Sequence, residues 1–182
     1  MTYGPKFDKA YKMLLANEGG WAKLSGDPGG RTWYGVSETY QPQYFKRMVA
    51  AQSAAERLAI AKECYHREYW TPLKCDDWPI RLAFRLLDMS ALRGVKNTIK
   101  ALQQAANIQG SRLLVDGVLG PLTYAAVLRL ANRYERNLAG WTTYFFGQQL
   151  LDLATKSPDP YAAWIWGWGA RLLEPEVESE QS

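Results

Sequence analysis

Only one histidine, His66, and two cysteines, Cys64 and Cys75, occur among the 182 residues. A triad built on serine or cysteine needs a histidine held by a carboxylate beside the nucleophile, and a single histidine assembles no convincing set. His66 stands in a charged helical stretch with Arg67 and Glu68, which suits a solvated or hydrogen-bonded role. The cysteines lack the close spacing and companion ligands of a zinc site, so neither metal nor organic cofactor is expected. Two reduced thiols are expected of a cytoplasmic product, with one bridge open to it after export. No run approaches the roughly 18 uninterrupted apolar residues of a membrane-spanning helix, so no stable membrane insertion is expected. The first residues carry Lys6, Asp8, Lys9 and Lys12 where a secretion signal has its apolar core, which predicts synthesis and folding in the cytoplasm. Internal repeats and low-complexity linkers are also missing, which argues against a solenoid.

With 47% hydrophobic content, the chain has material for one packed domain or two small abutting lobes. Its 22 basic and 18 acidic residues give a net charge of +4 and a pI of about 9.0. That balance suits an anionic polymer such as a bacterial cell wall or a nucleic acid. No DNA-binding motif accompanies the charge, and the aromatics lie in helical stretches, so nucleic acid is not the expected partner.

The stretch Asn17–Ser37, NEGGWAKLSGDPGGRTWYGVS, concentrates the chemistry. Phe7, Tyr11, Leu14 and Glu18 recur at helical spacing on one face, and Gly19-Gly20 ends the helix there. A carboxyl half-sunk among apolar groups holds its proton to higher pH and serves as a proton donor. Glu18 equally fits a plain helix-terminal glutamate. Asp27 follows in Asp-Pro-Gly-Gly, with tight turns on either side, and Thr32 comes five residues later. Trp33-Tyr34-Gly35-Val36-Ser37 reads as a short strand. Two carboxyls, a hydroxyl and aromatics such as Trp33 and Tyr34 make the layout of a sugar-cleaving cleft, in which rings stack on sugars. A surface hairpin with Asp27 opening a turn fits the spacing as well.

The remainder reads as helix. Ser53-x-x-Glu56 is a capping box before the amphipathic run Leu58, Ala61, Tyr65, Tyr69. Pro79 opens a helix with Ile80, Phe84, Leu87 and Ala91 on a buried face running to Gly94. Asn97 can cap a third helix that stops near Gly110. Asp116-Gly117 and Gly120-Pro121 bracket a turn before another helix towards Leu138. Asp88 and Tyr69 fit either the lining of a cleft or the core, and so does Trp70. Trp141, Tyr144, Phe145 and Gln148 keep helical spacing and are expected mostly in the core, while Trp164 and Trp168 share a face. From Glu174 the tail is acidic and expected to fray.

Glu-Gly-Gly-Trp followed by Asp-Pro-Gly-Gly-x-Thr-x-Tyr-Gly-Val resembles the signature of glycoside hydrolase family 108, the bacterial and phage N-acetylmuramidases. The spacing is similar to the Glu–Asp–Thr triad of lysozymes from T-even phages, with the threonine one residue nearer. Tyr69-Trp70, Leu86-Leu87-Asp88 through Gly94, and Leu102-Gln103-Gln104-Ala105 extend the resemblance. The run Asp116 to Thr123 resembles the predicted peptidoglycan-binding region of that family, so the likeness reaches about residue 172. One position departs: where the family pattern usually has asparagine shortly before the glycine, this chain has Leu92 before Arg93-Gly94.

The resemblance implies a mainly α, lysozyme-like fold with a small β-hairpin around residues 24–37 near the active site. It implies a catalytic region over 1–94, a helical peptidoglycan-binding-like region over 95–173, whether separate or part of one compact fold, and an acidic tail over 174–182. The implied activity is that of an endolysin-type muramidase on bacterial peptidoglycan, acting as a monomer. Glu18 would be general acid, with Asp27 and Thr32 holding water and Trp33, Tyr34, Tyr69 and Asp88 contacting glycan. Access to the wall would need release by a factor such as a phage holin. Two alternatives stand beside it: a lytic transglycosylase, and a non-catalytic wall-binding or secretion-accessory protein.

Overall fold

A computed structural model describes residues 2–17, 21–22 and 30–156. It resolves α1 (Pro5–Asn17), β1 (Trp21–Ala22), β2 (Thr32–Trp33), β3 (Val36–Ser37), α2 (Pro42–Ala50), α3 (Ala54–Tyr65), a π turn (His66–Trp70), a 3-10 turn (Cys75–Asp77), α4 (Ile80–Ile108) and α5 (Pro121–Lys156). The chain divides into two compact units, Met1–Tyr69 and Trp70–Ser182.

In the first unit, α1 buries the face expected from its spacing: Phe7, Tyr11 and Leu14 are all inside. Their rings join a ladder. Phe7 packs on Tyr11 at 5.7 Å, Tyr11 on Tyr65 at 5.6 Å, and Tyr65 on Tyr69 at 5.5 Å. His66 closes against Tyr3 and Phe7, both at 4.8 Å, so this histidine serves as a packing group among aromatics. Pro42 starts α2, where a missing N–H costs nothing. Ser53 caps α3 by accepting from the Glu56 N–H at 3.2 Å, and the Glu56 carboxylate accepts from the Gln52 N–H at 2.6 Å. The return bond reaches Gln52, one residue earlier than in the usual box.

Cys64 is buried on α3, and both cysteines are free thiols. Burial, reinforced by Glu68 and Glu63, pushes the Cys64 thiol up to about 12. A raised thiol pKa depletes the thiolate, which is the reactive species. In the native protein at pH 8, Cys64 is therefore expected to resist Ellman's reagent and to react only on unfolding. Rapid native labelling at Cys64 in a Cys75→Ala variant would contradict this.

In the second unit, the Trp78 indole N–H donates to the Leu73 carbonyl at 2.7 Å, anchoring the approach to α4. α4 breaks once, at Gly94, whose φ of +78° is out of reach for most side chains. Asn97 was expected to cap the helix after the break. Instead its side chain donates to the Arg93 carbonyl at 2.8 Å, and Thr98 donates to the Gly94 carbonyl at 3.2 Å. The helix restarts early enough for both to reach back and satisfy carbonyls that the break exposes. α4 ends in a Schellman motif: Ser111 N–H bonds Ala106 O at 3.1 Å and Gly110 N–H bonds Asn107 O at 2.9 Å, with Gly110 at φ +87°.

α5 packs along α4 and bends at Tyr134. Its inward stripe is Leu138, Thr142, Phe146 and Leu150, four residues apart. This corrects the expected core set. Trp141 is 40% exposed and Tyr144 53%, Gln148 is exposed and Phe145 is only partly buried. Trp141 to Phe146 holds four aromatics in six residues, and the stripe selects the one in phase with Leu138 and Leu150. Met89, Ala101, Phe146 and Leu150 form the core here. Leu92 packs at its edge, giving the departing residue an apolar packing role. Tyr161, Trp164, Trp166, Trp168 and the acidic tail lie outside the described residues.

Candidate active site

The described part of the candidate site is a three-stranded antiparallel sheet in the order β1-β2-β3. Trp33 pairs with Val36 across a two-residue turn, and Thr32 pairs with Ser37. Tyr34 and Gly35 both have positive φ, +48° and +74°. That is the type I′ geometry whose twist matches flanking strands. The segment 33–37 was expected as one strand; the structure folds it into the hairpin turn, because glycine at the second turn position permits reversal. The hairpin spans 32–37 and gains a third strand at 21–22, while 23–29 lie outside the described residues.

Thr32 occupies the central strand, with β1 residue Ala22 on one side and β3 residue Ser37 on the other. Alternation along a strand points Thr32 and Trp33 to opposite faces. The Trp33 ring turns towards α2 and α3: Phe45 lies 6.4 Å away, and the Arg57 guanidinium sits 4.5 Å over the ring. That face of Trp33 is occupied by a cation–π contact, so the ring helps seat the hairpin. Arg31 and Glu38 clamp the hairpin base with paired bonds of 2.8 and 2.6 Å, and the Glu38 N–H bonds Arg31 O at 2.9 Å.

Gln41 ties the sheet to the aromatic ladder. Its side-chain oxygen accepts from the Ser37 N–H at 2.8 Å, and its amide donates to the Tyr69 hydroxyl at 2.7 Å. Tyr69 is thus buried and linked to β3 within the first unit. Beside it, the Tyr44 hydroxyl donates to Glu68 at 3.0 Å, and burial with that carboxylate raises the phenol to about 12.

The structure therefore brings Thr32, Trp33, Tyr34 and Tyr69 onto or beside one small sheet. Glu18, which follows directly after α1, and Asp27 lie outside the described residues. Asp88 is buried in the first half of α4, in the second unit. A concavity lined by Tyr3, Arg47, Ile60 and Glu63 contains none of these candidates. Gln41 and Arg57 hold the hairpin without having been singled out in the sequence. Gln41 sits just before Pro42 and looks like an ordinary helix-start residue, and Arg57 is one of many basic helix positions. Among the described residues, no cluster of histidine, cysteine and carboxylates suits a metal ion.

The family model described as Glycosyl hydrolase 108 matches residues 11–94. That segment is similar to glycosyl hydrolase family 108. It contains α1 from Tyr11, the whole hairpin, α2, α3 and α4 up to the Gly94 break. The similarity supports a peptidoglycan-degrading glycosidase of the lysozyme type, and peptidoglycan fits it as the substrate. Ten chains of known structure match as well. Among them, the structure of Brucella abortus SagA is 26% identical with a TM-score of 0.67, and the match covers 91% of this chain and 88% of SagA. The shared fold is mainly α and lysozyme-like. No curated protein matches the chain. Among the described residues, no helix is long and apolar enough to cross a membrane.

Proposed function

We propose that the chain is an endolysin-type N-acetylmuramidase, hydrolysing the β-1,4 bond between N-acetylmuramic acid and N-acetylglucosamine, with Glu18 as general acid. The observation that carries this reading is the family 108 match, which runs through Glu18, Asp27 and Thr32. Thr32 on a central strand, in a hairpin clamped by Arg31–Glu38 and seated by Gln41, gives one member of the set a rigid support.

In this reading Glu18 donates its proton to the glycosidic oxygen as the C1–O bond breaks. Asp27 takes a proton from a water that Thr32 helps orient, and the water oxygen bonds C1 from the opposite face. The anomeric centre inverts, which requires the two carboxyls to stand roughly 6.5–9.5 Å apart. Tyr34, in the turn that follows the Thr32 strand, would contact the sugar.

The test is digestion of purified peptidoglycan with products resolved by mass spectrometry. Fragments with reducing muramic ends are expected. Fragments ending in 1,6-anhydro-muramic acid would instead make the enzyme a lytic transglycosylase. Sedimentation with sacculi without any fragments would leave a wall-binding protein.

A further inference from the structure

The loop between α4 and α5 keeps its backbone tightly bonded and its large aliphatic side chains in water. Leu114 is 78% exposed and Leu122 80%, and Ile108, Val115 and Val118 are exposed as well. The framework beneath them is ordered by two buried or half-buried amides. The Gln103 side chain donates to the Asp116 carboxylate at 2.8 Å, the Val118 carbonyl at 3.1 Å and the Thr123 hydroxyl at 3.1 Å, and it accepts from the Gly117 N–H at 2.9 Å. Asn107 accepts from the Leu113 N–H and donates to the Leu113 carbonyl at 2.8 Å. Gly117, at φ +80°, lies so close to α4 that a Cβ would stand 2.8 Å from the Lys96 carbonyl oxygen. The aliphatic display is therefore a property of a fixed loop, and a cluster of exposed apolar side chains of this kind marks an interaction surface.

Two features identify the partner. First, polar backbone groups at Leu113, Gly117 and Val118 already have bonds inside the protein, so these positions can approach a headgroup layer without losing hydrogen bonds. Second, residues 96–129 include Lys96, Lys100, Arg112 and Arg129 against the single acid Asp116, whose carboxylate is bonded to Gln103 and the Val118 N–H. Nearby, Lys74 lies over the Tyr124 ring while Asp77 accepts from its hydroxyl, so these two offset each other. Residues 108–122 contain no aromatic ring to stack on a sugar. An aliphatic tip with a cationic surround fits an anionic bilayer surface, where leucines reach the headgroup–acyl boundary and cations meet phosphates.

We propose that the α4–α5 loop docks this protein peripherally on anionic lipid bilayers through Leu114, Val115, Val118 and Leu122, with Lys96, Lys100 and Arg112 contacting the headgroups. The inference does not depend on the reaction assigned above.

The test is co-sedimentation of the full chain with phosphatidylcholine vesicles, with and without phosphatidylglycerol. Binding is expected only with the anionic lipid and is expected to weaken with salt. Leu114→Ser and Leu122→Ser should each weaken it about tenfold, the loss from one partly inserted leucine. Leu151→Ser, an exposed leucine elsewhere on α5, should bind like wild type, and circular dichroism should report all three as folded. Absence of binding to anionic vesicles would overturn the proposal, as would full binding by the Leu114→Ser/Leu122→Ser double variant or an equal loss in Leu151→Ser. Self-association, or sedimentation with purified peptidoglycan, that the double variant abolishes while wild type ignores vesicles would reassign the loop to a second copy or to glycan.

Discussion

Glu18→Gln is expected to reduce fragment release from peptidoglycan by about a thousandfold while leaving the fold intact. The amide keeps the shape of the side chain and removes the proton that the leaving oxygen needs. Positioned general acids contribute on the order of 10²–10⁴ in rate, so the loss should fall in that range. Stability should be nearly unchanged, because the apolar face of α1 is carried by Phe7, Ala10, Tyr11 and Leu14, all buried upstream of Glu18. The measurement is initial rate of muropeptide release, with circular dichroism and a thermal melt on the same preparation. A folded Glu18→Gln protein with wild-type rate would remove Glu18 from the mechanism and leave the family 108 match standing. Asp27→Asn should also be damaging, by less if water is activated jointly with Thr32.

A second large effect is expected in the other unit. Phe146→Ala should cost about 3–5 kcal/mol of stability, the range for deleting a fully buried aromatic ring. Phe146 is fully buried against Met89, Ala101 and Leu150, so its removal opens a cavity between α4 and α5. Tyr144→Ala, two residues earlier and largely in solvent, should stay within about 0.5 kcal/mol of wild type. Urea denaturation of the pair reads the difference directly. Equal losses would mean that the inward stripe of α5 is not the one formed by Leu138, Thr142, Phe146 and Leu150.

These contrasts show which residues could be read without the structure. The helical face Phe7–Tyr11–Leu14, the Ser53 cap, the helix openings at Pro79 and Gly120-Pro121, and the stop at Gly110 all follow from periodicity or bonds within a turn or two. Gly94 was legible as the end of a helical face and appears as a break with positive φ. The strand assigned to 33–37 was misread because aromatic and β-branched composition outweighed the turn preference of Tyr-Gly, which only its pairing with Val36 and Ser37 reveals.

By itself, then, the sequence determined that the chain is mainly helical, that its unusual residues gather between Asn17 and Ser37, and that these match a glycosidase family rather than a triad or zinc enzyme. The tertiary structure decided that Gln41 bridges β3 to Tyr69, that Arg57 covers one face of Trp33, that Phe146 is inside while Tyr144 is not, and that Gln103 organises the loop before α5. The physical reason is common to all four. A helix cap or an apolar period is complete within a few residues, whereas a buried amide or an occupied aromatic face is stable only when partners from distant parts of the chain arrive to satisfy it.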